Sequence, residues 1–170
     1  MRLRIYDQPS IRHSRKRGAS EPDKTIGYDA GKKVKGRKRH IAVDTLGLIW
    51  AVRVTAASVQ DRDGALLLLP ELEAQSQRLE TLYADAAYAG GFEDALSYLS
   101  AWKVKIVKKL DDQKGFVVLP KRWMVERTLS WLSKCRRLSK DYEFETESSE
   151  AIILWASIRR MAQWLTKPYT

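Results

Sequence analysis

A chain of 170 residues, 44% hydrophobic and 31% charged, suits one folded domain with a real core rather than a disordered segment. No apolar run approaches the roughly 18 residues of a membrane helix, and the opening Met1-Arg-Leu-Arg lacks the apolar core of a secretory signal, so a cytoplasmic protein with no membrane partner is expected. The net charge of +10 is segregated: residues 1–40 hold 13 Lys/Arg against four acids and residues 120–140 hold seven against one, which favours a nucleic-acid partner.

Taken in chain order, residues 2–7 alternate polar and apolar and read as a strand ending at Asp7. Residues 12–37 are basic, glycine-bearing and without periodicity, and read as a loop. Two β-rich runs flank Asp44-Thr-Leu-Gly47, which predicts a hairpin and hence three antiparallel strands in succession. A helix is expected over 61–75, capped by Ser58, with Pro70 able to break or bend it. Thr81–Asp85 reads as a short buried strand that ends in an acid. Gly90-Gly91 then opens a helix with Phe92, Ala95, Leu96 and Leu99 on one side, and a fifth strand begins at Val104. Two further helices follow, over 120–140 and 148–166, each with a clear apolar stripe. The order β-β-β-α-β-α-β-α-α predicts an α/β mixed sheet with helices on its faces, the element order of the ribonuclease H-like fold. Residues 1–145 are taken as the domain and 146–170 as a C-terminal helix packed on it.

One cysteine, Cys135, excludes an internal disulfide and suits a reducing compartment. With only His13 and His40 beside it, no conventional zinc site can form, so carboxylates must hold any metal. Asp7 and Asp85 end the first and fourth expected strands, which can be neighbours in a mixed sheet. Glu126 lies one turn into the basic helix, with Arg122 four residues before it. Three carboxylates make a hard, all-oxygen set that suits Mg²⁺ or Mn²⁺. Two such ions, about 4 Å apart, can stabilise both the attacking and the leaving oxygen of a phosphoryl displacement. The bland readings stand beside this one: Asp7 as a surface acid, Glu126 as the i,i+4 salt-bridge partner of Arg122, His40 as structural and Cys135 as inert.

Several ordered blocks carry a resemblance. Gly27-Tyr-Asp-Ala-Gly-Lys-Lys-Val-Lys-Gly-Arg-Lys-Arg-His-Ile-Ala-Val-Asp-Thr-Leu-Gly47, Ser58-Val-Gln-Asp-Arg-Asp-Gly-Ala65, Ala84-Asp-Ala-Ala-Tyr-Ala-Gly90 and the run from Gly115 to Leu132 resemble bacterial insertion-sequence transposases of the insertion-sequence-five family. The similarity covers residues 5 to 145. It implies a DDE triad on a ribonuclease H-like fold, with metal-dependent cleavage at element ends followed by strand transfer into target DNA. The family's Ala-Asp-x-x-Tyr block falls on Asp85, and its Arg-x-x-x-Glu spacing on Arg122 and Glu126, with Arg122 as an accessory residue. Asp7, Ser10, Ile11 and Arg12 stand in register with the family's first-acid block, and Asp44 is the alternative first acid. Leu119 and Ser133 stand where the family often has an accessory tyrosine and lysine. Lys32, Lys33, Lys35, Arg37, Lys38, Arg39, Arg127, Arg136 and Arg137 are expected to hold the DNA backbone without reading sequence. The family carries a DNA-binding segment before the first strand that is missing here. This chain is therefore expected to work with other transposase subunits or an upstream-frame product, or else to be an inactive truncated remnant that binds DNA or regulates the full-length enzyme.

Overall fold

A computed structural model describes residues 1–10, 25–75, 78–85, 88, 92, 96, 102–107 and 122–166, the side chains of 6–10 and of Arg122 excepted. Its strands are β1 (Arg2–Ser10), β2 (Gly27–Asp29), β3 (Val34–Val43), β4 (Ile49–Ala56), β5 (Thr81–Asp85) and β6 (Lys103–Val107). Its helices are α1 (Asp61–Leu66), α2 (Leu69–Gln75), α3 (Arg122–Ser133) and α4 (Thr146–Leu165), with a 3₁₀ turn over Arg136–Leu138.

β1 runs through the middle of the sheet. On one side it pairs antiparallel with β3, from Arg4 opposite Val43 to Ser10 opposite Arg37. On the other it pairs parallel with β5, Leu3 opposite Leu82, and β5 in turn pairs parallel with β6. β3 also takes β4 along its length and β2 at its head, both antiparallel. Three antiparallel strands extended by two parallel ones give the mixed α/β sheet that the element order demands.

Strand alternation divides β3 between two cores. Ala42 joins Leu3, Ile5, Leu82 and Ala84 beneath Ala65, Leu68, Leu69 and Leu72 of the α1–α2 segment. Ile41 and Val43 join Val52 and Val54 beneath Val125, Leu129 and Leu132 of α3 and Ile153 of α4. Tyr88, Phe92 and Leu96 are buried in the first core; the rest of the expected helix after Gly90-Gly91 lies outside the described residues. Among the described residues, no helix is long and apolar enough to cross a membrane.

Several boundaries differ from expectation, each for a local reason. β1 does not end at Asp7 but continues to Ser10, because β3 pairs with it all the way. The expected loop over 12–37 contains β2 and the head of β3, where Lys35 is exposed and Arg37 is buried in an ion pair, so no hydrophobic alternation marks the strand. The 61–75 helix is two: Pro70, the second residue of α2, has no N–H to offer the preceding turn, and Leu68 closes a tight turn onto the Ala65 carbonyl at 3.0 Å. Gln60 rather than Ser58 occupies the cap position of α1. The 120–140 helix stops at Ser133, because Cys135 turns extended before the 3₁₀ turn.

α4 also closes the sheet edge. Glu150 accepts the Val54 backbone N–H on the outer strand β4 at 2.8 Å, covering an edge that could otherwise recruit another strand. Arg53 of β4 bridges Glu71 of α2 and Glu150 of α4, at 3.1 and 3.4 Å, and so ties the two helical layers across that edge.

Candidate active site

The two ends of the sheet have different work. At one end, β3 turns into β4 through residues 44–48, and Asp44 organises the turn. Its Oδ1 accepts the backbone N–H groups of Leu46 and Leu48 at 2.8 and 2.9 Å, and its Oδ2 accepts Nε1–H of Trp50 at 3.2 Å. Both oxygens of this alternative first acid thus accept hydrogen bonds from its own hairpin, at the end of the sheet away from Asp85. Gly47 lies in the left-handed region at φ +82°, and a Cβ there would stand 2.7 Å from Thr128 Oγ1, so α3 can seat on this turn only at a glycine. Thr128 Oγ1 donates to the Gly47 carbonyl at 2.8 Å.

The other acids lie away from that turn. Asp7 stands opposite His40 in the β1–β3 ladder. Asp85, half-buried, is the last residue of β5, on the strand parallel and adjacent to β1. The β1–β5 ladder runs from Arg2 opposite Thr81 to Arg4 opposite Tyr83; carried forward, its register brings Asp85 level with Tyr6, next to Asp7 along the chain. Glu126 is exposed on α3. Trp123, Arg127 and Trp131 share the α3 flank that rests on the 44–48 turn, where Arg127 donates to the Leu46 carbonyl at 2.7 Å. Glu126 occupies a different flank. Among the described residues no three His, Cys, Asp or Glu side chains gather into a metal-holding group, and the Asp7 side chain is not among those described.

The basic run between β2 and β3 corrects the expected DNA contacts most sharply. Arg37 is 0% exposed: its guanidinium pairs with Asp141 at 3.3 Å and donates to the carbonyls of Glu143 and Phe144 and to Thr25 Oγ1. Lys38 is buried between Asp61 at 2.6 Å and Asp29 at 3.0 Å. Burial works against its charge, but the hydrogen bonds to those two aspartates win and raise its pKa. Arg39 is buried too and donates to the Leu138 carbonyl at 3.1 Å, and that burial lowers its pKa. None of the three can reach a phosphate. Arg127 is likewise drawn inward, its guanidinium 4.5 Å from the Trp123 ring centre and 4.8 Å from that of Trp131. Lys32, Lys33, Lys35, Arg136 and Arg137 remain exposed, with Lys32 near Asp61 at 3.5 Å and Arg137 paired with Glu143 at 2.6 Å.

His40 was read as structural, and the geometry gives the reason. A Cβ on Gly64 would fall 2.1 Å from the imidazole, so α1 lies directly on the ring, and Nε2 bonds Thr55 Oγ1 at 2.9 Å. Burial first, then the nearby Lys38 charge, depresses its pKa to about 4. Residues of two resemblance blocks, the one ending at Gly47 and the one around Gly64, therefore meet here in packing rather than chemistry. The sequence concealed this contact because it joins a polar residue in one block to a glycine in another.

A family model described as "Transposase DDE domain" matches residues 1–160. The chain belongs to the DDE transposases. It is 29% identical to a protein assigned as the transposase of insertion sequence element IS402 of Burkholderia cepacia, over 76% of this chain and 68% of that one. Its fold is similar to the crystal structure of the catalytic core domain of BIV integrase, with a TM-score of 0.51 at 14% identity, over 92% of this chain and 80% of that one. A DDE transposase domain on an integrase-like, ribonuclease H-like fold is a nuclease and strand-transfer enzyme acting on DNA, and its family works with divalent metal ions.

Proposed function

We propose that Asp7, Asp85 and Glu126 are the three acids of this transposase and that they hold two Mg²⁺ or Mn²⁺ ions. The observation that carries this reading is topological: the first two acids come from adjacent parallel strands, Asp85 from the very end of β5. The donor set fits the metal, since it is all carboxylate and no histidine or cysteine competes for a softer ion. Bound there, the ions would supply Lewis-acid stabilisation of the attacking and leaving oxygens in a phosphodiester displacement. The carboxylates hold and space the site, while Arg122, four residues before Glu126, is assigned to the DNA strand beside it. Hydrolysis at an element end frees a 3′-hydroxyl, which attacks the target backbone in a second displacement of the same kind.

Exposed Lys32, Lys33, Lys35, Arg136 and Arg137 are assigned to backbone contacts that position DNA without reading sequence. Residues 1–145 are assigned as the catalytic unit and 146–170 as a C-terminal segment whose helix, Thr146–Leu165, packs on it. The chain's partners are other transposase subunits or an upstream-frame product of an insertion-sequence-five type element, with which it works in the cytoplasm at the nucleoid.

The test is Mg²⁺-dependent nicking of a duplex carrying the element's terminal repeats, followed by joining of a pre-cleaved end to plasmid DNA. Asp85→Asn and Glu126→Gln should each lower both rates by about 10³-fold or more, the loss expected when a residue acting on the transition state is removed. Calorimetric Mn²⁺ binding should weaken in parallel. Unchanged nicking in Asp85→Asn would sink the assignment, and cleavage of RNA–DNA hybrids without strand joining would move the chain to a different nuclease class.

A further inference from the structure

A concavity that the assigned acids do not use opens between the 44–48 turn, the end of α3 and the second half of α4, and encloses about 260 Å³. Leu48, Ile49 and Leu132 make its floor apolar. Lys134, Arg159 and Arg160 stand around it, and none of the lining residues is acidic. Among the described residues no carboxylate pairs with any of these three cations. The contrast with the head of β3 is direct: Arg37 and Lys38 each have an aspartate there, whereas three cations share one hollow here and have none. Arg160 is also pinned in place. Its guanidinium lies 3.8 Å from the Trp131 ring centre, and its Nε is buried without a hydrogen-bond acceptor. Buried donors are nearly always satisfied, so a fixed arginine with an unmet N–H beside two further unpaired cations marks a place where an anion completes the structure.

We propose that this cleft binds one nucleotide with an unpaired base, its phosphate held by Lys134, Arg159 and Arg160 and its base laid over the Leu48, Ile49 and Leu132 floor. The two halves of the cleft fix that chemistry. Several cations converging without a counter-charge suit a phosphate, whose oxygens can take more than one of them at once. An apolar floor beside them suits a flat, largely apolar group joined to that phosphate, which a bare inorganic anion lacks. The volume falls just below the roughly 300–1,000 Å³ of pockets for drug-sized ligands, which matches a single nucleotide and no more. A base that is paired and stacked in a duplex cannot enter, so duplex DNA reaches only the exposed Lys134 and Arg159.

A free nucleotide and a nucleotide within an unpaired DNA strand present the same groups to the cleft. Binding should weaken as salt rises, because the phosphate displaces counterions. The site needs no divalent ion and lies beside the turn at the end of the sheet away from Asp85, so it stands or falls separately from the assignment of the three acids.

Alkylation of Cys135 by iodoacetamide in EDTA tests it. Cys135 is the chain's one cysteine and lines the cleft half-buried, so its rate reports occupancy of this hollow and not of the remaining basic surface. A saturating single-stranded oligo(dA) of about eight nucleotides should slow the reaction by about tenfold. Protection by dAMP as well assigns the site to free nucleotides, and protection by the oligonucleotide alone assigns it to DNA strands; both results uphold the proposal. Lys134→Glu with Arg159→Glu changes two exposed side chains, so it should keep its circular dichroism and melting temperature while losing the protection. Lys103→Glu with Lys105→Glu, an equal change of charge on exposed residues of β6, should keep it. The proposal is overturned if neither probe protects Cys135, if a fully paired duplex or inorganic phosphate protects it equally, or if protection survives Lys134→Glu with Arg159→Glu.

Discussion

The head of the basic run and its continuation in β3 are made of the same residue types and do opposite things. Lys32, Lys33 and Lys35 sit in and just after the β2–β3 turn and point to solvent. Arg37, Lys38 and Arg39, two residues further on, are all buried. The difference lies in what has been built around each half. Arg37 and Arg39 fall on the face that receives the 136–149 segment, and Lys38 on the face that receives α1. Each buried cation has specific oxygens waiting for it, so the sheet can hold charge in its interior. A count of positive charge therefore says nothing about how much of it DNA can meet.

The largest expected effect follows from the most buried member. Arg37→Ala would leave Asp141, which also accepts the Ser149 hydroxyl at 2.7 Å, without its counter-charge in the interior. It would also strip the carbonyls of Glu143 and Phe144 of a donor. Breaking a buried pair from one side costs about 3–5 kcal/mol, a large part of a small domain's total stability. Urea unfolding should show that loss. A loss below about 1 kcal/mol would return Arg37 to the surface and collapse the contrast between the two halves.

His40, flanked in β3 by Arg39 and Ile41, gives a somewhat smaller effect with a definite sign. Its pKa falls from an ordinary 6.5 to about 4 in the fold, because burial and the Lys38 charge disfavour the imidazolium. A depressed folded pKa contributes stability that is present above pH 6.5 and is lost as pH falls toward 4. By pH 5 the loss attributable to this one group should be about 2 kcal/mol, approaching about 3 kcal/mol below pH 4. Carboxylates titrate over the same range, so the reading is the difference in acid slope between the native chain and His40→Phe. Equal slopes would mean that the ring is not held neutral under α1.

Much of the frame was legible in the sequence. Alternation in 39–55, the apolar run at 81–85 and the alternating segment from Val104 gave the strands, because those segments carry hydrocarbon with the period of a strand. Asp7 and Asp85 could be located in this frame because one stands in such a strand and the other ends one. What could not be read was any burial mediated by polar groups. Val34 to Lys38 looks like a solvated loop because two of its partners, Asp61 and Asp141, are distant in sequence and the third, Asp29, lies across the β2–β3 turn with no hydrophobic pattern to announce the pairing. Asp44 is the reverse case: its identity suggests either a turn or a metal, and the three donors it accepts from its own hairpin show its part in the turn.

The smallest effect belongs to the exposed half, and it sharpens the comparison most cleanly. Lys33→Ala and Lys35→Ala remove side chains that lie on the surface, so unfolding free energy should change by less than about 0.5 kcal/mol. If these lysines touch DNA phosphates, each substitution should lower the slope of log affinity against log salt by about one and weaken binding to unrelated duplexes equally. Fluorescence anisotropy over a salt series reads both quantities. A stability cost with no change in salt slope would make the turn structural as well, and DNA contact would then fall to Arg136 and Arg137 beside α3. Unchanged stability with a reduced slope would establish that this strand is a cation-bearing tip on a base whose charges are already spoken for.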